Sequence, residues 1–134
     1  MDLRFESSDG QQWIELRDTR PTDESVFKAR LCFPFANDVL SHDFWFDRDD
    51  LEAFVSEAQW LERSTGGQAS FGPIARSDSI TLVRDRNGWT IAVEAFDLRD
   101  PDGRARESFP LDSVAARDLI RRFEMLAEMS APVS

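Results

Sequence analysis

The side chains able to do chemistry are few in kind: one histidine, His42, one cysteine, Cys32, and many carboxylates. The carboxylates crowd one segment, with Asp38, Asp43, Asp47, Asp49 and Asp50 close together along the chain. Two carboxylates held side by side can act as general acid and general base. The local pattern offers them another task. Asp49 stands before an apolar helical stripe with Glu52 three residues on, which predicts a capping box. Asp47 and Asp50 fall where a helix dipole favours negative charge. His42 could serve a serine nucleophile only alone, because there is no second histidine and no serine sits in a nucleophile elbow. A half-buried, hydrogen-bonded imidazole is the expectation. Cys32 lies between Leu31 and Phe33 in an alternating run; it has no disulfide partner within the chain and reads as a structural thiol.

Asp97, Asp100, Asp102 and Gly103 resemble a calcium loop only in outline. Leu98 interrupts the acidic alternation, and Asp100-Pro101-Asp102-Gly103 fits turn chemistry better. Gly66-Gly67 lacks the Lys and Ser/Thr of a phosphate-cradling loop, and no dinucleotide fingerprint occurs. Neither cofactor nor metal is expected. Trp13, Trp45, Trp60 and Trp89 are dispersed without a basic stripe, which argues against stacking on bases and leaves open a protein interface.

A chain of 134 residues with a net charge of -10 suits one domain spanning 1–134 with its own core. Its cations are fifteen arginines and Lys28. Such acidity repels nucleic acid and anionic membranes. A macromolecule recognised through charge would be basic; the bland alternative is that the charge only keeps a small protein soluble. No run approaches the roughly 20 apolar residues of a membrane helix. The start Met1-Asp2-Leu3-Arg4-Phe5 is unlike a signal peptide, so the expected location is the cytoplasm.

These residues must be held by elements that alternate and then coil. Leu3 and Phe5 predict a short strand, Ser7–Gly10 a turn and Gln12–Leu16 the return. Arg17–Ser25, with Pro21, reads as a loop. Val26–Phe35 is the longest alternating run, edge-like or bulged at Pro34. Ala36-Asn37-Asp38 turns into Val39–Phe46. A helix from Asp49 carries Leu51, Phe54, Val55, Ala58 and Leu61 inward, with Gly66-Gly67 supplying a left-handed stop. Gln68–Phe71 is a short strand, broken by Gly72-Pro73. Ser79–Val83 and Trp89–Phe96 flank an Asn87-Gly88 hairpin turn, and Ala105–Phe109 follows. A last helix, Ala116–Ala127, carries Ala116, Leu119, Ile120, Phe123, Leu126 and Ala127 on one inward stripe, with Pro132 beyond it. The predicted class is α+β: seven or eight mainly antiparallel strands in two units, each closed by an Asp-led helix.

The hairpin at the start, the long strand Val26–Phe35, the aromatic strand running into Asp50-Leu51-Glu52-Ala53-Phe54, the Asn87-Gly88-Trp89 hairpin and Phe109-Pro110-Leu111 opening the last helix together resemble the WapI-like bacterial immunity proteins. The resemblance implies a non-enzymatic protein that binds and blocks a cognate polymorphic toxin, often an RNA-cleaving nuclease. It brings no catalytic or binding residues to particular positions. The acidity fits a basic toxin domain as partner, and Asp38, Asp43, Trp45, Asp47 and Asp50 are the expected protein-binding residues. The alternatives are an adaptor that self-associates or binds another protein, and a hydrolase built on an Asp pair or His42.

Overall fold

The computed structural model describes residues 1–72, 78–96 and 103–131. Ten elements follow one another: β1 (Leu3–Glu6), β2 (Trp13–Pro21), β3 (Val26–Phe35), β4 (Asp38–Asp47), α1 (Arg48–Leu61), β5 (Gly67–Phe71), β6 (Ser79–Asp85), β7 (Gly88–Phe96), β8 (Arg104–Leu111) and α2 (Ser113–Ala127). Strands β1–β4 form one antiparallel meander and β5–β8 a second, each closed by one helix. The class is α+β, in the order the alternation and helical stripes predict. Pro73, the Asp97/Asp100/Asp102 alternation with Pro101, and Pro132 lie outside the described residues.

Period-two burial builds the strands and period-3.6 burial the helices. Phe27, Ala29, Leu31 and Phe33 of β3 face inward, as do Leu40, Phe44 and Phe46 of β4. The inward stripe of α1 is Leu51, Phe54, Val55, Ala58 and Leu61; that of α2 is Ala116, Leu119, Ile120, Phe123 and Leu126. One core cluster draws residues from all ten elements. The helices run antiparallel: Gln59 reaches Glu124 at 3.0 Å, while Glu62 near the end of α1 faces Arg117 near the start of α2 at 4.0 Å. Asp112 caps α2 as expected, accepting from the Ala115 amide at 2.7 Å.

Four local expectations are corrected. The stretch expected as a loop from Arg17 is largely strand: β2 continues to Pro21 through an irregularity between Arg17 and Arg20. Asp18 takes φ 52° there, and buried Thr19 satisfies its hydroxyl on the Leu16 carbonyl at 3.0 Å. Only Thr22–Ser25 is left to turn the chain. The capping box at Asp49 does not form. Asp47 is the N-cap residue, without a side-chain cap bond, and Asp49 and Asp50 lie in the first turn. The reason is tertiary: the Arg48 amide donates to the Ser25 carbonyl at 2.7 Å, so the adjoining loop serves the first turn. Gly66 and Gly67 do not stop α1, whose C-cap residue Glu62 is right-handed; Gly67 (φ 146°) instead opens β5. Finally, Asn87 is not left-handed. Gly88 alone is (φ 125°), and Asp85 accepts from the Asn87 amide at 2.7 Å. The two-residue left-handed hairpin is Ala36-Asn37, at φ 54° and 63°.

Neither helix has a basic residue in its last turn, and arginines from elsewhere serve the terminal carbonyls. Arg84 donates to the Leu61 carbonyl at 2.6 Å and lies over Trp89. Arg48 donates to Ala127 and Met129 at 2.7 Å each and to Glu24 at 2.8 Å, over the Phe27 ring. A planar fork meets several carbonyls at once; an ammonium cannot. Arg48→Lys is therefore expected to lose about 1–2 kcal/mol and Arg48→Ala about 2–3 kcal/mol in urea unfolding. Equal stability of the lysine variant would show that the fork geometry contributes nothing.

Two turn aspartates link the fold to pH. Asp23 accepts from the Ser25 amide at 2.7 Å, the Ser25 hydroxyl at 3.1 Å and the Val26 amide at 2.9 Å, which together hold its carboxyl below the ordinary range. Asp9 is lowered by the Ser7 hydroxyl first and the Gln11 amide second. A carboxyl lowered in the folded state stabilises above its unfolded pKa of about 3.9, and that stabilisation is lost as pH falls through the folded value. The melting temperature should fall between about pH 5 and pH 3, and the Asp9→Asn, Asp23→Asn double variant should fall less over the same window. Identical slopes in a pH series of thermal melts would contradict the assignment.

Candidate functional site

The five sequence-predicted residues lie on β4 and the first turn of α1, and the structure brings only some of them together. Asp43, Trp45 and Asp47 alternate on the outer face of the first sheet. Asp38 begins β4, about 15 Å away along the strand, and its carboxylate accepts from the Val39 amide at 2.7 Å. Asp43 is paired: it lies opposite Arg30 across the β3–β4 ladder and accepts from its guanidinium at 2.7 Å. Trp45 is exposed, with the Lys28 ammonium 4.8 Å from its ring centroid. The outer face of the first sheet thus mixes both signs: Arg17 lies opposite Arg30 and Arg20 opposite Lys28 across the β2–β3 ladder, and Arg4–Glu6, Arg4–Glu15 and Arg17–Glu15 pair at the β1–β2 end. Charge on that face is largely balanced overall, but its edge strand β4 contributes Asp43 and Asp47 and no lysine or arginine.

The uncompensated charge lies on α1. Asp49, Asp50, Glu52 and Glu57 are all exposed, and none makes an ion pair among the described residues. At about 100° per residue, Asp49, Ala53, Ser56 and Trp60 form the stripe opposite the core. Asp50 and Glu57 flank it on one side, Glu52 on the other. Trp60 is 58% exposed, at the far end of this surface. Residue types and spacing predicted Asp50 alone among these as binding. The spacing assigns Asp49 and Glu52 to a cap that does not form, singles out Trp60 only as one of four dispersed tryptophans, and gives Glu57 no role. The signal was there: with the core stripe at Leu51, Phe54, Val55, Ala58 and Leu61, the opposite face follows by counting.

His42 is half-buried as expected, and its Nδ1 lies 3.9 Å from Oδ2 of Asp78. Asp78 precedes β6 and has a fully buried side chain whose Oδ1 accepts from the Phe96 amide at 2.9 Å. The contact bridges the two sheets, and nothing in the sequence near Asp78 announced it. Cys32 is buried, with its thiol 3.5 Å from the Ser41 hydroxyl. A shallow depression of about 300 Å³ lies on the outer face of the second sheet, between Thr81, Ala92, Glu94 and Ser108. Arg104 and Arg106 both lie on the Glu94 carboxylate, at 2.6 and 3.5 Å. No group of three or more metal-ligating side chains occurs among the described residues, and among them no helix is long and apolar enough to cross a membrane.

The fold and surface define a two-sheet α+β scaffold presenting one unbalanced acidic helix. No family model matches the chain, and neither a curated protein nor a solved structure matches it.

Proposed function

We propose that this chain is a non-enzymatic acidic binding protein that neutralises a basic protein partner, in the manner of a bacterial immunity protein acting on a cognate toxin domain. One observation carries the proposal: α1 presents four carboxylates that make no ion pair among the described residues, bordered by the exposed indole of Trp60. An enzyme that grips phosphate needs a basic face, and an acidic helix meets such a face with complementary potential and steered association. Trp60 offers the rigid aromatic anchor that such interfaces place amid charge. Where charge on the first sheet is needed for folding, it is balanced by arginine; where it is unbalanced, it lies on a face that supports no core contact. The resemblance to WapI-like immunity proteins points the same way.

The test is co-expression with the protein encoded beside this chain, followed by co-purification. Rescue of growth together with a complex that weakens as salt rises is the expected result. A neighbour whose toxicity is unaffected, with no complex at low salt, would remove the proposal.

A further inference from the structure

We infer that β4 accepts an added strand from the partner, and that the added strand is basic. The inference rests on the binding role proposed above and gives it a geometry. Among the described residues, strand β4 is the last of its sheet and pairs with β3 alone. The hairpin between them closes through two left-handed residues, Ala36 and Asn37. In that type of two-residue turn the flanking residues, here Phe35 and Asp38, form a hydrogen-bonded pair. The register then runs unbroken from Phe35↔Asp38 to Val26↔Asp47. Alternation therefore turns the amides and carbonyls of the even-numbered residues of β4 toward β3. Those of Ser41, Asp43 and Trp45 point to the open edge. Among the described residues no backbone group pairs with these three.

Open edges invite pairing, and folded proteins blunt the ones they do not use. The free edge of β8 is blunted in this way. The Ser108 carbonyl accepts from Gln12 at 2.9 Å, its amide donates to Glu107 at 3.1 Å, and Pro110 has no N–H to offer. At Ser41, Asp43 and Trp45 no side chain does the same.

The side chains decide the occupant. In antiparallel addition, the incoming residues that bond Ser41, Asp43 and Trp45 place their own side chains on the same outer face. A second copy of β4 paired symmetrically about Asp43 or about Trp45 would set Asp43 opposite Asp43 or Asp47, which is unfavourable. An extended segment with Arg or Lys at alternate positions instead sets cations beside Asp43 and Asp47. Asp43 has acceptor sites beyond the one taken by Arg30.

The test uses the whole protein and a blocked peptide of about ten residues in which arginine alternates with threonine. Arginine is the residue that must turn both its side chain to the outer face and its amide to β4. N-methylation of the arginine amides should weaken binding at least about tenfold, by removing donors to the β4 carbonyls. N-methylation of the threonine amides leaves charge and composition unchanged and should alter affinity less than about twofold. The amide resonances of Ser41, Asp43 and Trp45 should shift and slow in hydrogen exchange. Equal binding by the two methylated peptides, resonance shifts confined to α1, or no binding of the parent peptide would each overturn the inference. Growth rescue by a complex whose shifts avoid β4 removes strand addition and leaves the binding role. Strand addition by the peptide without neutralisation of the neighbouring protein does the reverse.

Discussion

Phe71→Ala is expected to cost about 3–5 kcal/mol, a large share of the stability of a domain of this size. Phe71 lies where every layer meets. Its ring centroid is 4.7 Å from Phe54 of α1, 5.5 Å from Phe123 of α2, and 5.2 and 5.8 Å from Phe46 and Phe44 of β4. Phe71 itself belongs to the other sheet and is 5% exposed. Truncation removes the transfer energy of the ring and opens a cavity bordered by both sheets and both helices. The site has little freedom to collapse. The next residue, Gly72, approaches Asp78 so closely that an added Cβ would stand 2.1 Å from the Asp78 carbonyl oxygen. Phe96→Ala is the internal control: Phe96 is 51% exposed and its loss should cost less than about 0.5 kcal/mol. Urea unfolding followed by tryptophan fluorescence gives both numbers. A Phe71→Ala cost below about 1 kcal/mol would show that the layers do not depend on this ring.

The architecture was legible because burial here follows simple periods. Every inward residue of α1 and nearly all of α2 could be read from i, i+3, i+4 spacing, and β3 was bounded to the residue by its alternation. What misled the reading was help from distant parts of the chain. Arg17–Ser25 is polar and contains Pro21, so it read as loop. Pairing with β3 recruits it as strand, with the irregularity at Asp18 absorbing the mismatch. Asp49 and Glu52 have the spacing of a capping box, but Ser25 supplies a carbonyl to the Arg48 amide and the N-cap moves back two residues, to Asp47. The β6–β7 hairpin forms where Asn87-Gly88 predicts it, but there Gly88 alone takes positive φ, whereas both residues of the Ala36-Asn37 turn are left-handed. Some of the fifteen arginines have a packing role: Arg4, Arg48, Arg84 and Arg122 lie over Trp13, Phe27, Trp89 and Phe5.

The candidate surface was half legible for the same reason. Sequence shows where carboxylates lie but not which cations fold beside them. Asp43 looked as available as Asp50, and the β3–β4 register gives it Arg30. Glu57 looked unremarkable, and folding leaves it without a cation on the outward side of α1. Compensation is a property of the ladder. The exposed neighbours of these carboxylates on α1, Ala53, Ser56 and Gln59, carry no charge to compensate them.

Neutralising that helix is therefore the change with the largest expected effect on binding. In Asp49→Asn, Asp50→Asn, Glu52→Gln, Glu57→Gln, the association rate with a basic partner should drop about 10- to 100-fold at low salt, and its dependence on salt should flatten. Dissociation should change far less, since exposed rim charges steer encounter more than they hold the complex. Folding should survive. The four side chains are exposed, and Asp49 and Asp50 forfeit about 0.3–1 kcal/mol each from the dipole of the first turn. Trp60→Ala should show the opposite kinetic signature, a faster dissociation with little change in association, because an aromatic anchor acts after contact. Asp118→Asn on α2 removes the same kind of charge from a carboxylate 3.3 Å from Arg122. It should leave both rates within about twofold, being compensated and on another helix. Stopped-flow association across a salt series separates these outcomes. If the α1 variant and Asp118→Asn slow association alike, only net charge matters and α1 is no privileged surface. If the α1 variant binds as fast as the unaltered protein, the partner is not recognised through this helix.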